Sequence, residues 1–296
     1  MTRATRITLA GTFFVLLHLA CFAVFWTGIN FDAVALCAFM FFARKFGITG
    51  GFHRYFSHRS YKTGRVFQFC LAFLGGAAAQ KGALWWAAHH RHHHKHSDTH
   101  EDIHSAKLEG FYWSHAGWVL SPEYDEYDPQ AVRDLSKFPE LVWLDKLIFI
   151  PPIAAAVFCL LVGHFWFGNA MMGLVVGFLF STVILYHTTF AINSLCHMFG
   201  SRRYETGEES RNSLWLALLT MGEGWHNNHH HYPLSARQGF FWWEIDLTYY
   251  VLLGLEKLGI VWALQSPPKR MLEPAALTAL ASAKTERPVG VSATVS

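Results

Sequence analysis

Four apolar segments, each about as long as a bilayer is thick, constrain this 296-residue chain more than any other feature. The hydrocarbon core of a bilayer is about 30 Å thick, and a helix needs about 20 apolar residues to cross it. The segments cover residues 7–28, 31–49, 147–167 and 171–192. Short turns at Asn30 and at Gly168-Asn169 join them in pairs. We therefore expect an all-α integral membrane protein with four transmembrane helices in two hairpins.

Composition excludes several other classes of protein. Charged residues make up 15% of the chain, whereas a soluble domain has about 25%. The formal charge of +3 is too small to indicate a nucleic-acid-binding protein. The five cysteines form no C-x-x-C pair, so neither a zinc ribbon nor a redox pair is predicted.

Lysine and arginine set the predicted orientation of the segments. The two turns contain neither residue type, whereas both occur after the second and fourth segments. These cations are Arg44, Lys45, Arg54, Arg59, Lys62, Arg65, Arg202, Arg203 and Arg211. Because cytoplasmic loops carry an excess of such residues, residues 50–146 and 193–265 are predicted to form a cytoplasmic helical cap. Residues 1–265 are then a single membrane domain, and the Ala/Ser/Thr/Pro-rich stretch 266–296 is predicted to be a disordered tail.

Histidine is unusually frequent, and its positions are clustered. Of the 19 histidines, three lie alone inside the apolar segments, and we interpret them as packing residues. These are His18, His164 and His187. Most of the others lie in HRYFSH, HHRHHHKH, NSLCH and WHNNHHH. Positions i, i+3 and i+4 share one face of an α-helix, and the second and fourth clusters each contain such a triplet.

The clusters together predict a binuclear metal centre. Neutral imidazole binds iron, copper, zinc and nickel. One set per cluster supplies nine histidines, which are too many for one ion and suit two ions with four or five ligands each and one position left open. The set is His53, His58, His90, His93, His94, His197, His226, His229 and His230.

Two features test whether these clusters can meet. His53 and His58 are five residues apart, so they converge only where the helix is distorted, and Gly50-Gly51 offers such a point. A fifth apolar stretch, residues 66–86, separates the first two clusters and would place them on opposite membrane faces if it crossed the bilayer. We therefore expect this stretch to lie at the interface or within the cap.

Two E-x-x-H motifs suggest an alternative metal site. Glu101–His104 and Glu223–His226 have the spacing that soluble di-iron bundles use. The matching apolar four-helix pattern of those bundles is missing from this chain. We expect Glu223 to hydrogen-bond a ligand imidazole instead.

The quoted clusters are also the basis of a family resemblance. HRYFSHRSYKT, HHRHHHKHSD, NSLCHMFG and GEGWHNNHHHYP, spread over residues 30–260, resemble the histidine boxes of the membrane fatty-acid desaturases, in particular the acyl-CoA (stearoyl-CoA, delta-9) branch. The resemblance implies a cytoplasmic di-iron centre held by the nine histidines, with Asn193 contributing through a water and no further catalytic residue. It implies O2-dependent formation of a cis double bond in a saturated long-chain acyl group, with electrons from a separate protein. His89, His92, His96 and His231 fall at positions that the family does not require.

The carrier and the exact reaction stay open at this point. Ala88 and His89 stand where the acyl-CoA enzymes often have arginine followed by an acidic residue, so an acyl-lipid desaturase or a membrane di-iron hydroxylase or alkane monooxygenase is an alternative. A metal transporter and a metal-buffering protein are more distant alternatives. The basic residues beside the first cluster are candidates for binding a substrate head group or anionic lipid. They are Arg54, Arg59, Lys62 and Arg65. The expected location is the bacterial inner membrane or, in a eukaryote, the membrane of the endoplasmic reticulum.

Overall fold

A computed structural model describes residues 3–272, with side chains from residue 11 onward. The longer helices are α1 (Arg3–Ala20), α2 (Phe31–Phe46), α3 (Arg65–Gly76), α4 (Ala83–His96), α5 (Ala106–Tyr112), α6 (Pro139–Lys146), α7 (Ile150–Phe167), α8 (Ser181–Met198), α9 (Leu214–Leu219), α10 (His226–His231) and α11 (Leu247–Lys257). Segments of π-helix occupy Gly47–Ser57, Trp113–Gly117 and Gly173–Phe180. Short helical turns lie at Cys21–Ala23, Val24–Thr27, Trp118–Leu120, Pro122–Tyr124, Pro129–Val132, Arg133–Ser136, Ala170–Met172 and Lys269–Met271. Of the predicted tail, residues 266–296, the part from residue 273 onward lies outside the described residues.

One small antiparallel sheet accompanies the helices. Strands β1 (Lys62–Thr63) and β2 (Val261–Trp262) pair with Lys62 opposite Trp262. The pairing attaches the chain that follows the first histidine cluster to the end of the described structure. The expectation of a helical protein is otherwise met.

Both predicted hairpin turns are present, and they meet. The first apolar helix ends at Gly28, which has φ +75°, and the Asn30 side chain accepts a backbone N–H from the first turn of α2. Helix α7 ends at Gly168, with φ +70°, and Asn169 caps the helix that follows. The Asn169 amide also donates a hydrogen bond to the Thr27 carbonyl oxygen, at 3.1 Å, so the two turns lie side by side at one end of the molecule.

Within residues 3–272, two helices are long and apolar enough to cross a bilayer, Ile150–Phe167 and Ala170–Met198. The apolar helix Gly11–Thr27 is shorter. The predicted segment 31–49 lies in a continuous helical run, α2 followed by π-helix, that carries Asp32, Arg44 and Lys45. Length and composition therefore support two of the four predicted spans, and the other two stay predictions.

Two of the cations at the end of α2 are not in a loop. Arg44 and Lys45 were counted as cations of a cytoplasmic loop, but their side chains are buried between α2 and α8. The Arg44 guanidinium donates to the Thr182 hydroxyl at 2.8 Å, and to the Met40 carbonyl oxygen at 3.0 Å. The Lys45 ammonium donates to the Thr189 hydroxyl at 3.1 Å. These two cations therefore report on helix packing and not on the side of the membrane.

The fifth apolar stretch is not one continuous helix. Helix α3 has 12 residues and is therefore about 18 Å long at 1.5 Å per residue, much shorter than a bilayer core. Ala79 and Lys81 then take positive φ values of 58° and 68°, which break the chain before α4 begins. This agrees with the expectation that residues 66–86 do not cross the membrane.

A buried apolar cluster holds the histidine-bearing elements together. It joins the π-helical segment Gly47–Ser57 to α3, α4 and α6 through side chains that are almost fully buried. These include Phe52, Phe56, Leu71, Leu84 and Leu141. Because the π-helical segment packs directly on α4, the first two histidine clusters face each other.

Candidate metal centre

The nine predicted histidines come together as two groups. The first group consists of His53, His58, His90, His94 and His229, with one ring nitrogen of each within 4.8 Å of the others. The second group consists of His93, His197, His226 and His230, which meet the same limit. The groups are adjacent, since the rings of His94 and His230 stack with centroids 4.4 Å apart. Each group could hold a metal ion.

The helix distortion required at His53 and His58 is a π-helix. The His58 backbone N–H donates to the His53 carbonyl oxygen at 3.2 Å, across five residues. Residues five apart therefore stack on one face in this segment, and the two rings lie with centroids 4.9 Å apart. The expected distortion thus takes the form of a wider helix and not of a break at Gly50-Gly51.

Neighbouring residues of α4 and α10 serve different groups. His90 and His94, one helical turn apart, belong to the first group, whereas His93 belongs to the second. On α10, His229 lies in the first group and His230 in the second. The i, i+3, i+4 spacing thus supplies both positions from the same two helices, which places the positions side by side.

The arrangement of the ring nitrogens fits a cation between them. The Nε2 atom of His229 lies 3.0 Å from His53 Nε2 and 2.9 Å from His94 Nε2. One neutral nitrogen cannot hydrogen-bond well to both neighbours at once, whereas a metal ion accepts a lone pair from each. In the second group the buried His230 Nε2 has no hydrogen-bond partner among the described residues. The donor set therefore suits a pair of nitrogen-ligated metal ions.

Burial keeps most of these imidazoles neutral. It lowers the pKa well below the ordinary histidine value in six of the nine, and the neighbouring histidines lower it further. The six are His58, His90, His94, His226, His229 and His230. Neutral imidazole is the form that ligates a metal.

Carboxylates contact several of the rings from behind. Glu223 contacts His53 Nδ1, as expected from the sequence, and also accepts from the Arg54 guanidinium at 2.9 Å. Asp102 lies 2.9 Å from His93 Nδ1. Burial raises the pKa of Asp102, but contact with His93 outweighs it and holds that pKa below its ordinary value. Such partners orient a ligand imidazole and raise its basicity.

Two further carboxylates lie behind the second group. Asp98 and Glu208 lie 3.4 Å and 3.7 Å from His197 Nδ1. Glu208 also lies 3.6 Å from His230 Nδ1. Sequence reasoning missed Asp98, Asp102 and Glu208, although Asp98 and Asp102 stand four residues apart directly after the second cluster.

A small cavity of about 30 Å³ adjoins the first group. His90 and Asn193 border it, together with the apolar side chains of Trp86 and Phe190. Asn193 lies one helical turn before His197 on α8. Its proposed contribution through a water stays a prediction.

The remaining histidines of the clusters have other partners. His89 Nδ1 donates to the Trp85 carbonyl oxygen, His92 Nε2 donates to that of Glu101, and His231 Nε2 donates to that of Met271. The His96 ring lies 3.0 Å from the Glu101 carboxylate. None of these four belongs to a group in the part of the chain that the structure describes.

One histidine that sequence reasoning did not select lies beside the centre. His104 is buried and stacks on His93 with ring centroids 4.2 Å apart. His104 is the histidine of the Glu101–His104 E-x-x-H motif, but the carboxylate beside its ring is that of Asp102 and not that of Glu101. The motif therefore lies beside the metal centre, but Glu101 and His104 do not act together there.

The three histidines of the apolar segments are not part of either group. His18 Nε2 lies 2.9 Å from His187 Nε2, and His187 Nδ1 lies 3.0 Å from His115. His164 contacts the neighbouring ring of Phe165. Their interpretation as packing residues agrees with these contacts.

The candidate head-group residues are not equivalent. Arg54 is 1% exposed and pairs with Glu223 and Asp246, so its assignment to a substrate head group is corrected: it holds the carboxylate behind His53. Arg59 and Arg65 are exposed and pair with Asp134 and Glu140 at 2.7 Å. Lys62 is exposed on β1. Only the last three are accessible to an arriving substrate.

Comparison with known proteins identifies the family. The family model for fatty acid desaturases matches residues 30–259. An sn-1 stearoyl-lipid 9-desaturase of Anabaena variabilis is 38% identical, over 84% of this chain and 90% of its own length. An Icosanoyl-CoA 5-desaturase of Limnanthes douglasii is 36% identical over 87% of this chain and 72% of its own. A Hex-5-enoyl-[acyl-carrier protein] acetylenase of Moorena producens is 35% identical over 84% and 82%. With its histidine groups and two apolar helices, the chain belongs to the fatty acid desaturases, a family of membrane oxidoreductases.

Proposed function

We propose that this protein is an O2-dependent desaturase that introduces a cis double bond into a saturated long-chain acyl group at a di-iron centre. The observation that carries the proposal is the meeting of nine histidines in two adjacent groups of five and four. An iron pair held by these nine imidazoles would supply O2 activation, with electrons from a separate protein, and the removal of two hydrogens from neighbouring methylenes.

The chain's own residues bind, orient and shield. The nine imidazoles would hold the ions, and the carboxylates behind them fix ring orientation. The aromatic side chains of Trp86 and Phe190 line the cavity beside His90 and exclude bulk water from an apolar chain. Asn193, which borders the same cavity, would orient a water at the metal centre.

The proposed carrier of the acyl group is a membrane lipid, and the proposed position is delta-9. A relative that is 38% identical acts on a stearoyl lipid at position 9, as its name states. The side chain of His89, where a CoA-binding acidic residue was expected, is buried against Trp85 and offers no negative charge. Acyl-CoA is the second candidate, because an Icosanoyl-CoA desaturase is 36% identical.

The proposed topology is four membrane helices below a cytoplasmic cap, in a single domain of residues 1–265. Four large aromatic residues flank the two adjoining turns and are 77–85% exposed: Trp26, Phe31, Phe165 and Trp166. Aromatic residues at such positions are typical of a membrane interface. They support an arrangement in which both hairpins, and not only the second, cross the bilayer.

Expression in a bacterial strain that lacks unsaturated fatty acids tests the function. We expect membrane lipids with a cis double bond at carbon 9, located by mass spectrometry. A hydroxylated chain at the same carbon would favour the hydroxylase instead. Purified protein with one zinc and no iron would contradict the di-iron proposal. Stearoyl lipid in vesicles and stearoyl-CoA, supplied separately to purified protein with an electron donor, distinguish the two carriers.

A further inference from the structure

The two histidine groups differ in the charge that surrounds them. Three carboxylates lie behind the second group of four histidines: Asp102 at His93, Asp98 at His197, and Glu208 at both His197 and His230. Among residues 11–272, none of the three pairs with a lysine or arginine. Their other partners are the His104 ring, 4.0 Å from Asp102, the Ser105 and Ser210 hydroxyls, and backbone N–H groups.

The first group has less negative charge beside it than the second. Glu223 at His53 is its one carboxylate contact among the described residues, and the Arg54 guanidinium lies 2.9 Å from that carboxylate. Arg54 also pairs with Asp246 at 3.0 Å. The five histidines of the first group are therefore backed by one carboxylate whose charge is shared with a buried cation.

We propose that the two metal positions are unequal, and that Asp98, Asp102 and Glu208 are positioning residues that make the position of the second group the tighter one. This inference rests on the proposed di-iron function. The first position has five imidazoles and the second only four, so ligand count alone predicts the opposite order. The proposal states that the surrounding charge outweighs the additional imidazole.

Electrostatics supports this order. A divalent cation attracts each nearby carboxylate, and the attraction is strong where burial excludes water. Asp102 and Glu208 are at most 8% exposed, and Asp98 is half-buried inside the cap. Loss of one such partner typically lowers metal affinity about 10–100-fold. Three unpaired carboxylates can therefore offset the loss of one ligand.

The test is anaerobic release of iron from the purified full-length protein, loaded with Fe²⁺, into increasing concentrations of a ferrous chelator. We expect two release steps. The ion at the five-histidine position leaves first, and the ion at the four-histidine position leaves at a chelator concentration at least tenfold higher. Glu208→Gln and Asp102→Asn are expected to weaken the tight step about 10–100-fold and leave the weak step in place. Glu223→Gln is expected to move only the weak step.

Glu209→Gln is the matched control. Glu209 neighbours Glu208 but pairs with Lys107 and Arg211 and contacts no ligand histidine, so both steps are expected to stay unchanged. Mössbauer spectra of the ⁵⁷Fe-loaded protein provide a second readout, with two distinct iron environments expected. Asp98→Asn serves where another variant fails to fold.

The outcomes separate this inference from the proposed function. A protein that binds fewer than two irons per chain at saturation overturns the di-iron function. A protein that binds two irons but releases them in one step overturns only the inequality. Two steps in which Glu223→Gln weakens the tight ion would reverse the assignment and also reject the inference.

Discussion

Among residues 11–272, the cap encloses a network of paired charges that the two hairpins lack. The cap buries its polar groups: Arg54, Glu223 and Asp246 form a paired network that is almost fully enclosed. The hairpins expose apolar groups, with Trp26 at 84% and Phe165 at 79%. In the proposed topology, water surrounds the cap and a bilayer surrounds the hairpin surface. Polar changes inside the cap and charges on the hairpin surface are therefore expected to be the damaging ones.

The largest expected effect is at a ligand of the cap. His94→Ala removes one imidazole from the first group, and we expect no detectable double-bond formation, measured by mass spectrometry of lipids together with iron content per chain. His231→Ala is the matched control, because His231 pairs with the Met271 carbonyl oxygen and lies in neither group. Full desaturation by His94→Ala with one iron per chain would contradict the two-metal proposal.

The buried pairing in the cap predicts a large loss of stability. Arg54→Met leaves Glu223 and Asp246 buried without their cation, which costs about 3–5 kcal/mol of unfolding free energy. Arg59→Met removes an exposed pair with Asp134 and costs about 0–1 kcal/mol. Denaturant unfolding of the purified protein in detergent measures both. Equal losses in the two variants would show that burial of the pair does not matter.

A single arginine introduced into each region tests whether the hairpin surface, unlike the cap surface, faces lipid. Val157 in α7 and Leu108 in α5 are similarly exposed, at 45% and 42%. If α7 faces lipid, Val157→Arg costs about 2.5–3.5 kcal/mol of membrane insertion, whereas Leu108→Arg on the cap costs almost nothing. The fraction of chains that integrate into membranes measures the difference. Normal integration of Val157→Arg would place that face of α7 away from lipid.

The smallest expected effect is on the cap surface. Arg65→Glu replaces an exposed cation that pairs with Glu140 in a solvent-screened contact. We expect less than about a twofold change in KM for a lipid-linked substrate, because no phosphate-rich carrier needs this charge. A several-fold rise in KM for stearoyl-CoA, with iron content unchanged, would favour CoA as carrier. Lys137→Glu, a charge reversal outside the proposed head-group set, is the control.

Local sequence rules predicted the parts of this protein that depend on neighbours along the chain. The turns at Asn30 and Asn169 follow from helix capping. The triplet beginning at His226 follows from the helical repeat, which places its three rings on one side. Each of these features is set within about five residues, so the order of residues alone determines it.

Tertiary structure decided what depends on distant segments. It divided neighbouring histidines such as His93 and His94 between two groups, because each ring turns toward a different partner helix. Tertiary packing buried Arg54 against Glu223, 169 residues away, so a cation expected at the surface forms an internal ion pair. It brought Glu208 behind His197 and His230 from an irregular loop. Such loops have no periodic pattern, and long-range packing alone fixes which ring each carboxylate meets.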